Sequence, residues 1–373
     1  MTKRLYNDDV MLDRCEAVVL RVNEEGGRFE ALTDATVIFP ESGGQVSDSG
    51  SINGIPVPRA REDGEDVWHT LDKPVSVGER VTISVDMAAR MDHSQQHTGE
   101  HIVSGLANKL FGAKNVGFHM AEDHATLDLD ILLDDAQLEA LALAANAVVQ
   151  SNIPVRAEVV DAETLKTLTL RKKAEGLSGD IRIVYIDGVD SCTCCGTHCK
   201  TTGEVGYIML TSSMKYKGGI RIWFDCGQRA VRESLWRQSA VAKAARRFSV
   251  KEDAVLEAVF KQGDELTRAR RELRERTAEL MRYKSAELLS NAKAAGSSRL
   301  IVHNEAGLQA AELKQLAEQL TKEPDVIAVL FSECGDNVRL LRELLGQLFK
   351  LRRLQARLIV HDEPRASGRL CIG

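Results

Sequence analysis

The chain has 373 residues, more than one hydrophobic core ordinarily organises, so two or three domains are expected. Its composition, 43% hydrophobic and 28% charged, is typical of a soluble globular protein. The formal net charge of −6 excludes a global positive field that would attract nucleic acid, so any RNA contact has to come from local basic patches.

The N-terminal stretch MTKRLYNDDV has no apolar run after its basic residues, and no segment reaches the ~20 apolar residues that span a bilayer. We therefore expect a cytoplasmic protein without a membrane partner. Four of the eight cysteines crowd into CTCCGTHC beside His198, which in a cytoplasmic protein indicates metal binding more than disulfides. They are Cys192, Cys194, Cys195 and Cys199.

Residues 15–85 contain the segments CEAVVLRV, FEALTDATVIF and VTISVD, which are rich in β-branched and aromatic residues and separated by glycine-containing turns. Short strands at this spacing, with no helical pattern between them, predict a small β-barrel. We assign it to residues 1–88.

A helix is predicted next along the chain. Asp92 is a suitable N-cap with Gln95 three positions on, and Gly112 stands where the helix should end. The apolar face of this helix is predicted to contain Ile102, Leu106 and Leu110.

The segments that follow alternate between strand and helix patterns. HATLDLDI, VRAEVV, IRIVYIDG, GEVGYIML and GIRIWFDCG are predicted strands, with a helix at about 135–150 and a short helix after VRAEVV. This order predicts a second domain, of mixed helices and strands, over residues 89–228 and gives the whole chain the class α+β.

From about residue 228 to residue 291 the pattern is helical and strongly charged. Apolar residues repeat here every seven positions. A coiled coil needs a second apolar position in each heptad, but Gln262 and Arg276 stand at that position, which argues against a long coiled coil. We predict a helical linker, residues 229–295, that forms a helical hairpin or an arm for homodimerisation. The repeat comprises Val259, Leu266, Leu273 and Leu280.

The last part again alternates between strands and helices. LIVHNEA and DVIAVLFSE are predicted strands, whereas AELKQLAEQL and VRLLRELLGQLFKLRR are predicted helices. This alternation predicts a small α/β domain over residues 296–373.

The stretch HTGEH allows two interpretations. It is either the H-x-x-E-H of a zinc peptidase, with Glu100 as general base, or one half of a metal site whose other ligands lie downstream. His97 and His101, four apart, project from one helix face. Cys194 and His198 are four apart in a tight turn and add the thiolate and imidazole that zinc prefers. This favours the second interpretation, because an inverted-type peptidase would take its third ligand from a downstream helical carboxylate.

The order FPESGGQVSDSG, HTGEH, CCGTHCKTTGEVG and GGIRI resembles the editing domain of alanyl-tRNA synthetase and its free-standing relatives, the alanyl-tRNA editing proteins (AlaX). The resemblance covers about residues 10–228, with four motifs in matching order. It implies an aminoacyl-tRNA hydrolase that cleaves serine, and also glycine, from mischarged alanine tRNA. It also implies a Zn²⁺ ion held by His97, His101, Cys194 and His198.

Several roles stay open. Four protein ligands close a tetrahedral site, so one ligand is loose, His198 first, or the metal takes a fifth ligand or only organises the pocket. Glu100 either takes a proton from water or is a helix-surface carboxylate. Cys195 replaces a glycine of the family pattern Cys-Gly-Gly-Thr-His and remains an alternative ligand to Cys194.

The resemblance also points to substrate-binding residues. Gly43 and Gly44, followed by Gln45, match the family's glycine motif and allow close approach of the backbone to a ribose or base, whereas a plain hairpin turn is the alternative. Arg221 matches a position near the active site, where it would meet a phosphate or the tRNA 3′ end, although an arginine in a strand usually faces solvent.

The C-terminal part resembles, more faintly, the helical linker and DHH-associated domain of longer family members, which help to bind tRNA. Its tail is basic, which suits phosphate contact, but lacks their glycine triplet. Two other functions are kept as alternatives: a non-catalytic tRNA-binding protein with a structural zinc, and an H-x-x-E-H zinc peptidase. The basic tail residues are Lys350, Arg352, Arg353, Arg357, Arg365 and Arg369.

Overall fold

A computed structural model of the chain describes residues 1–173, 179–304, 306–334 and 337–343. The chain divides into two compact units, of which the first ends at Val241 and the second begins at Ala242. Each unit combines helices with β-sheet, which confirms the α+β class. Among the described residues, none of the helices combines the length and apolar character that a membrane span requires.

Nine strands precede the first helix, and seven of them form one antiparallel sheet in the order β6-β5-β9-β2-β3-β8-β7. The predicted barrel is nearly but not fully closed. Over these described residues the end strands β6 and β7 share no hydrogen-bond ladder, which leaves the sheet open between them. The strands are β1 (Lys3–Arg4), β2 (Arg14–Glu25), β3 (Arg28–Thr33), β4 (Ala35–Thr36), β5 (Gly50–Ile52), β6 (Ile55–Val57), β7 (Ala60–Asp63), β8 (Asp66–Leu71) and β9 (Arg80–Val85).

The first helix, α1 (Met87–Phe111), begins earlier than predicted. Its N-cap is Asp86, whose carboxylate accepts two first-turn backbone N–H groups at 2.9 and 3.2 Å. The prediction of Asp92 as N-cap is wrong, because Asp86 already satisfies these amides and Asp92 binds the guanidinium of Arg229 at 2.6 Å. The predicted end is confirmed, since Gly112 is left-handed at φ 70°.

The apolar face of α1 is confirmed in part. Ile102 and Leu106 are 0% and 7% exposed and belong to the core of the following sheets. Leu110 is 48% exposed, so its predicted burial is wrong. The neighbouring Lys109 is exposed as well, which means that the last turn of the helix projects beyond the core.

Two further antiparallel sheets complete the first unit, in the orders β10-β11-β16-β15 and β12-β13-β14. The predicted helix at 135–150 is confirmed, with a capping box between Asp134 and Gln137. The elements are β10 (Asn115–Met120), β11 (Ala125–Leu129), α2 (Asp135–Gln150), β12 (Val155–Val160), α3 (Ala162–Thr167), β13 (Ile181–Ile186), β14 (Asp190–Thr193), β15 (Ile208–Tyr216) and β16 (Gly219–Cys226).

The predicted helical region consists of two long helices, α4 (Gly227–Phe248) and α5 (Val255–Ser290). In the described residues after α5, four strands form a sheet of order β17-β18-β19-β20, with one helix between the second and third of them. Met281 of α5 packs into the core that these elements share. These elements are β17 (Lys293–Ala295), β18 (Ser298–Asn304), α6 (Ala310–Leu320), β19 (Val326–Cys334) and β20 (Asn337–Glu343).

The predicted helix VRLLRELLGQLFKLRR is wrong over its first residues. Residues 338–343 belong to β20, which pairs antiparallel with β19, so tertiary strand pairing outweighs the local helix propensity. The rest of that predicted helix and the basic tail residues lie outside the described residues.

Candidate metal centre

Helix α1 presents two imidazoles side by side. His97 and His101 are one helical turn apart and are 3% and 1% exposed, with ring centroids 5.4 Å from each other. Gly99, between them, is required by packing, since a Cβ there would lie 2.2 Å from the sulfur of Cys226. The helix therefore holds both rings rigidly inside the first unit.

The loop after β14 brings the other two predicted ligands to these imidazoles. The Cys194 Sγ lies 3.3 Å from His97 Nε2 and 3.6 Å from His198 Nε2, and the His198 and His101 Nε2 atoms are 3.1 Å apart. Gly196 makes this approach possible, because a Cβ there would lie 2.1 Å from the His97 ring. The four donor atoms all lie within 4.8 Å of one another.

Cys195 does not join this group. Its sulfur lies 3.5 Å from the Ser42 hydroxyl and beside Gly43 of the glycine motif. Of the two adjacent thiols, Cys194 is thus the one that faces the imidazoles. Burial would raise the pKa of the Cys194 thiol, but His97 and His198 together hold it well below its ordinary value.

The outer nitrogens of His97 and His101 are held by other side chains. The Gln45 Oε1 lies 2.7 Å from His97 Nδ1, and the Asp190 Oδ2 lies 2.8 Å from His101 Nδ1. Because both partners accept, each Nδ1 carries the ring proton and each Nε2 offers its lone pair to the group. Arg171 in turn binds the Asp190 carboxylate, with an Nη2 to Oδ2 distance of 3.0 Å.

The pKa values of the residues in and beside this group follow from burial and from neighbouring charges. Burial would raise the pKa of Asp190, but His101 and Arg171 outweigh it and lower that pKa to about 2. Burial lowers the pKa of His198 to about 3, so its imidazole is neutral near pH 7. Burial would lower the pKa of His101, but Cys192, Asp190 and Cys194 outweigh it and hold that pKa well above its ordinary value, so a zinc ion would take the place of a proton on this ring. A thiolate with imidazoles is the donor set that Zn²⁺ binds in proteins, so these residues fit a zinc ion.

The sequence did not point to Asp190 or Arg171, and it placed Cys192 in the cysteine-rich stretch without assigning it a partner. The Cys192 sulfur lies 3.6 Å from His101 Nδ1, and Cys192, Asp190 and His101 form a second compact group of metal-binding side chains that shares His101. Asp190 precedes Cys194 by four residues, but no spacing rule assigns a carboxylate at this position to the histidine.

Glu100 is buried beside the group rather than on the helix surface, with 4% of its area exposed. Its Oε1 accepts hydrogen bonds from Asn115 Nδ2 at 2.6 Å and from the Ser104 hydroxyl. Its Oε2 lies 3.9 Å from His101 Nε2. The carboxylate is therefore oriented by two donors, and its second oxygen is directed towards the imidazoles.

The glycine motif forms a tight turn closed between Ser42 and Gln45. Gly43 and Gly44 have φ angles of 60° and 84°, and a Cβ on Gly44 would lie 2.8 Å from the carbonyl oxygen of Phe118. The ring of Phe118 lies 5.2 Å from that of His97. The turn thus packs against Phe118, which in turn lies beside His97 of the metal group.

Arg221 lies on β16 and is not part of the group. Its guanidinium makes two hydrogen bonds to the Asp128 carboxylate, at 2.6 and 2.7 Å, and lies 3.9 Å from the centre of the Tyr216 ring. Its charge is therefore already paired within the protein.

Comparison with known proteins identifies relatives over the same region. A family described as "Threonyl and Alanyl tRNA synthetase second additional domain" matches residues 181–247. The alanyl-tRNA editing protein AlaX-L of Pyrococcus horikoshii is 34% identical over 240 residues, 62% of this chain and 59% of the relative. Aarsd1 of Danio rerio, also called an alanyl-tRNA editing protein, is 32% identical over 219 residues, 56% of this chain and 53% of the relative.

A longer match extends into the second unit. The alanine–tRNA ligase of Methanosarcina mazei is 29% identical over 352 residues, which is 89% of this chain but 37% of the ligase. The chain spans about half the length of the curated editing proteins it matches.

Proposed function

The chain belongs to the alanyl-tRNA editing protein family, and we propose that it hydrolyses the ester bond of mischarged alanine tRNA. The substrates we propose are alanine tRNA charged with serine and, more slowly, with glycine. The observation that carries the proposal is the convergence of His97, His101, Cys194 and His198 on one point inside the first unit.

We propose that these four side chains hold one Zn²⁺ ion. When bound, zinc supplies Lewis-acid chemistry at the ester. Gln45 and Asp190 hold the outer nitrogens of His97 and His101, so the two rings keep their orientation without help from solvent.

Glu100 is the residue that we propose as the general base. Asn115 and Ser104 donate to its Oε1, which fixes the carboxylate and leaves Oε2 free to accept a proton from the attacking water. An ester of the tRNA ribose needs no strong nucleophile, so a positioned water beside this carboxylate is sufficient.

The glycine motif is proposed as the part that meets the substrate. Phe118 and Cys195 fill the space that side chains on Gly43 and Gly44 would need, but both glycines are exposed, so the outer backbone of this turn is what we propose a ribose or base approaches. Arg221 is proposed as an outer contact to the tRNA, with Asp128 as the partner that the tRNA phosphate would have to displace.

The second unit is proposed to bind tRNA and a second copy of the chain. The four residues of its seven-residue repeat are 45–67% exposed on α5, so an apolar stripe is available for homodimerisation. The six cysteines whose side chains the structure describes are unpaired, which supports the cytoplasm as the proposed compartment.

A deacylation time course on alanine tRNA charged with serine, glycine, alanine or leucine tests the proposed reaction. We expect Ser-tRNA to be hydrolysed fastest and Ala-tRNA to survive, since a site that binds a hydroxyl can discriminate by roughly 10⁴-fold. Equal hydrolysis of Ser-tRNA and Ala-tRNA would contradict editing, and no hydrolysis of any charged tRNA would favour a non-catalytic tRNA-binding protein.

The metal assignment is tested with two adjacent cysteines. Cys194→Ala should lose zinc and activity, whereas Cys195→Ala, whose sulfur faces Ser42, should keep both. Elemental analysis gives the zinc content of each variant. Full zinc occupancy in Cys194→Ala would show that the proposed ligand set is wrong.

A further inference from the structure

A cavity of about 310 Å³ adjoins the metal group, and His198 lies between the two. Its wall includes Tyr6 from the N-terminal segment, Arg182 and Val184 of β13, and Thr197 in the ligand loop. Because His198 belongs both to this wall and to the metal group, a molecule in the cavity would lie next to the metal centre.

Arg182 has no carboxylate partner among the described residues. Its Nη1 donates to the carbonyl oxygens of Cys194 and Gly196, both at 3.1 Å, and the described structure gives its Nε and Nη2 no partner. Arg182 is half-buried, and a guanidinium withdrawn from water without a carboxylate partner is costly.

Every other buried or half-buried arginine in the described part of the first unit pairs with a carboxylate. The fold thus neutralises guanidinium groups wherever it withdraws them from solvent, with Arg182 as the exception. The most buried pairs are Arg90–Asp48, Arg171–Asp190 and Arg229–Asp92.

His198 supplies a second, independent sign of a missing ligand. Its side chain is buried, and its Nδ1 has no hydrogen-bond partner in the part of the chain that the structure describes. Because Nε2 faces Cys194 and His101, the ring proton belongs on Nδ1. His97 and His101 have an acceptor at this position, whereas His198 has a buried N–H without one.

Tyr6 contributes a third donor to the same cavity. Its side chain is 4% exposed, and among the described residues its hydroxyl has no hydrogen-bond partner. Burial raises the pKa of Tyr6, so the hydroxyl keeps its proton. The two aspartates of the cavity, Asp8 and Asp9, are exposed at its rim, and Asp9 is bound by Lys200 at 3.0 Å.

We propose that this cavity is a phosphate-binding site in which Arg182, Tyr6 and His198 donate to the phosphate oxygens. A phosphate only accepts hydrogen bonds, so it satisfies all three donors, and the guanidinium fork matches its geometry. The inference rests on the proposed function, in which the terminal adenosine of tRNA carries a phosphate at the other end of the ribose that bears the ester. A phosphate held here would position that ribose relative to the metal group.

Binding of adenosine 5′-monophosphate and adenosine to the zinc-loaded full chain, measured by isothermal titration calorimetry, tests the site. We expect the monophosphate to bind at least tenfold more tightly than adenosine, because charge-assisted hydrogen bonds are worth roughly 10- to 100-fold in affinity. Inorganic phosphate should compete with the nucleotide, which would show that the phosphate is the group recognised. Equal affinity of the nucleotide and the nucleoside would overturn the inference.

Two variants locate the site, and one serves as control. Arg182→Gln should abolish the preference for the monophosphate, and Tyr6→Phe should weaken it by roughly three- to tenfold. Arg156→Gln is the matched control, since Arg156 lines the cavity but is exposed and bound by Asp187, and its affinity should stay within twofold. Zinc content is measured in each variant, because Arg182 also supports the ligand loop.

The variants decide the outcome even if one of them loses the metal. If Arg182→Gln loses zinc, the comparison rests on Tyr6→Phe, which touches no proposed ligand. Undiminished monophosphate binding by a zinc-loaded Tyr6→Phe or Arg182→Gln protein would show that the cavity is not the phosphate site.

Failure of this inference is separable from failure of the proposed function. If the unmodified chain hydrolyses Ser-tRNA but binds the monophosphate no better than adenosine, only the cavity assignment is wrong. If it binds the monophosphate through Arg182 but hydrolyses no charged tRNA, the proposed reaction is wrong and the phosphate site stands.

Discussion

The two histidines of α1 are held in different ways. His97 is held by Gln45, a neutral amide, whereas His101 is held by Asp190, a carboxylate that Arg171 binds in turn. A carboxylate behind an imidazole raises the basicity of the ring and fixes its tautomer. His101 is therefore expected to be the strongest of the three imidazole ligands that we propose.

Replacing Asp190 tests this difference. Asp190→Asn should weaken zinc binding by about 10- to 100-fold, as loss of an outer-shell partner typically does, while Cys194 and the imidazoles remain. Competition with a chelator gives the zinc affinity. Asp187→Asn, which alters an exposed carboxylate bound to Arg156, is the control, and equal affinities in the two variants would refute the role given to Asp190.

His69 is a buried histidine in the barrel with a different role. Its Nδ1 donates to the Ala31 carbonyl at 3.1 Å, and its Nε2 accepts from the Thr36 hydroxyl at 2.8 Å. Burial lowers the pKa of His69 from 6.5 to about 4. The barrel core thus holds this ring in its neutral form.

The pKa of His69 predicts a pH dependence of stability. Between pH 4 and pH 6.5 His69 is protonated in more of the unfolded chains than of the folded ones. The contribution of His69 to the free energy of unfolding therefore rises with pH. This contribution, about 3 kcal/mol, is complete above pH 6.5 and is lost as the pH falls through the window towards 4.

Urea unfolding at pH 7 and pH 5 measures this effect in the unmodified chain and in His69→Gln. The stability lost between the two pH values should be smaller in His69→Gln, because glutamine does not titrate. The comparison cancels the contributions of the other titrating groups, and identical losses in both proteins would disprove the assignment.

Two helical glycines predict opposite effects of the same substitution. In α1, a Cβ on Gly105 would lie 2.4 Å from the Val189 carbonyl oxygen, a backbone atom that cannot move freely. In α5, a Cβ on Gly263 would meet nothing within 4 Å. The first glycine is required by packing, whereas the second only weakens its helix.

Gly105→Ala should therefore lower the free energy of unfolding of the first unit by about 1–3 kcal/mol, as overpacking does. Gly263→Ala should raise the stability of the second unit by about 1 kcal/mol. Tryptophan fluorescence follows the first unit alone, because the tryptophans are Trp68, Trp223 and Trp236, and circular dichroism follows α5 as well. Shifts of the same sign in both variants would contradict the packing argument.

Local signals explain which elements were predictable. The bounds of α2 follow from Asp134 and Gln137, which form a capping box from adjacent sequence positions. The predicted start of α1 is wrong because Asp86 and Asp92 are both residues that can cap a helix. In the structure Asp86 caps α1, whereas Asp92 is bound by Arg229, which is distant in sequence. The predicted helix at residues 338–343 was wrong for a similar reason, since pairing with β19 decides its conformation.

The distinction between local signals and tertiary contacts also applies to the candidate metal centre. Both pairs of proposed ligands follow an i, i+4 spacing, so His97, His101, Cys194 and His198 could be proposed as one group without a fold. Asp190, Arg171 and Arg182 depend on the pairing of β13 with β14 and on the approach of that hairpin to α1, which no local pattern specifies.

At the scale of the whole molecule, a net charge of −6 has to be reconciled with the polyanionic partner that we propose. The basic tail predicted from the sequence offers a local solution, because phosphate binding depends on nearby Lys and Arg rather than on total charge. We therefore expect the tail to control affinity for tRNA more than the rate of ester cleavage.

Replacing Lys350, Arg352, Arg353 and Arg357 by Gln should weaken tRNA binding and flatten its salt dependence. For every phosphate that is no longer neutralised, the log–log slope should fall by about 0.7–0.9, while hydrolysis at saturating tRNA stays nearly unchanged. Filter binding over a range of salt concentrations measures the slope. Matched Gln substitutions at Arg268, Arg270, Arg271 and Arg274, exposed residues of α5, are the control, and equal slopes in both variants would leave the tail without a role in tRNA binding.

The distance along the chain between the two ligand pairs has a consequence for biosynthesis. His101 precedes Cys194 by 93 residues, so a ribosome adding about 5–20 residues per second exposes the second pair roughly 5–20 s after the first. During that interval a nascent chain holds only two of the four donors, on a helix whose partner hairpin has not yet been made. The complete set of donors therefore becomes available only after the chain has passed His198.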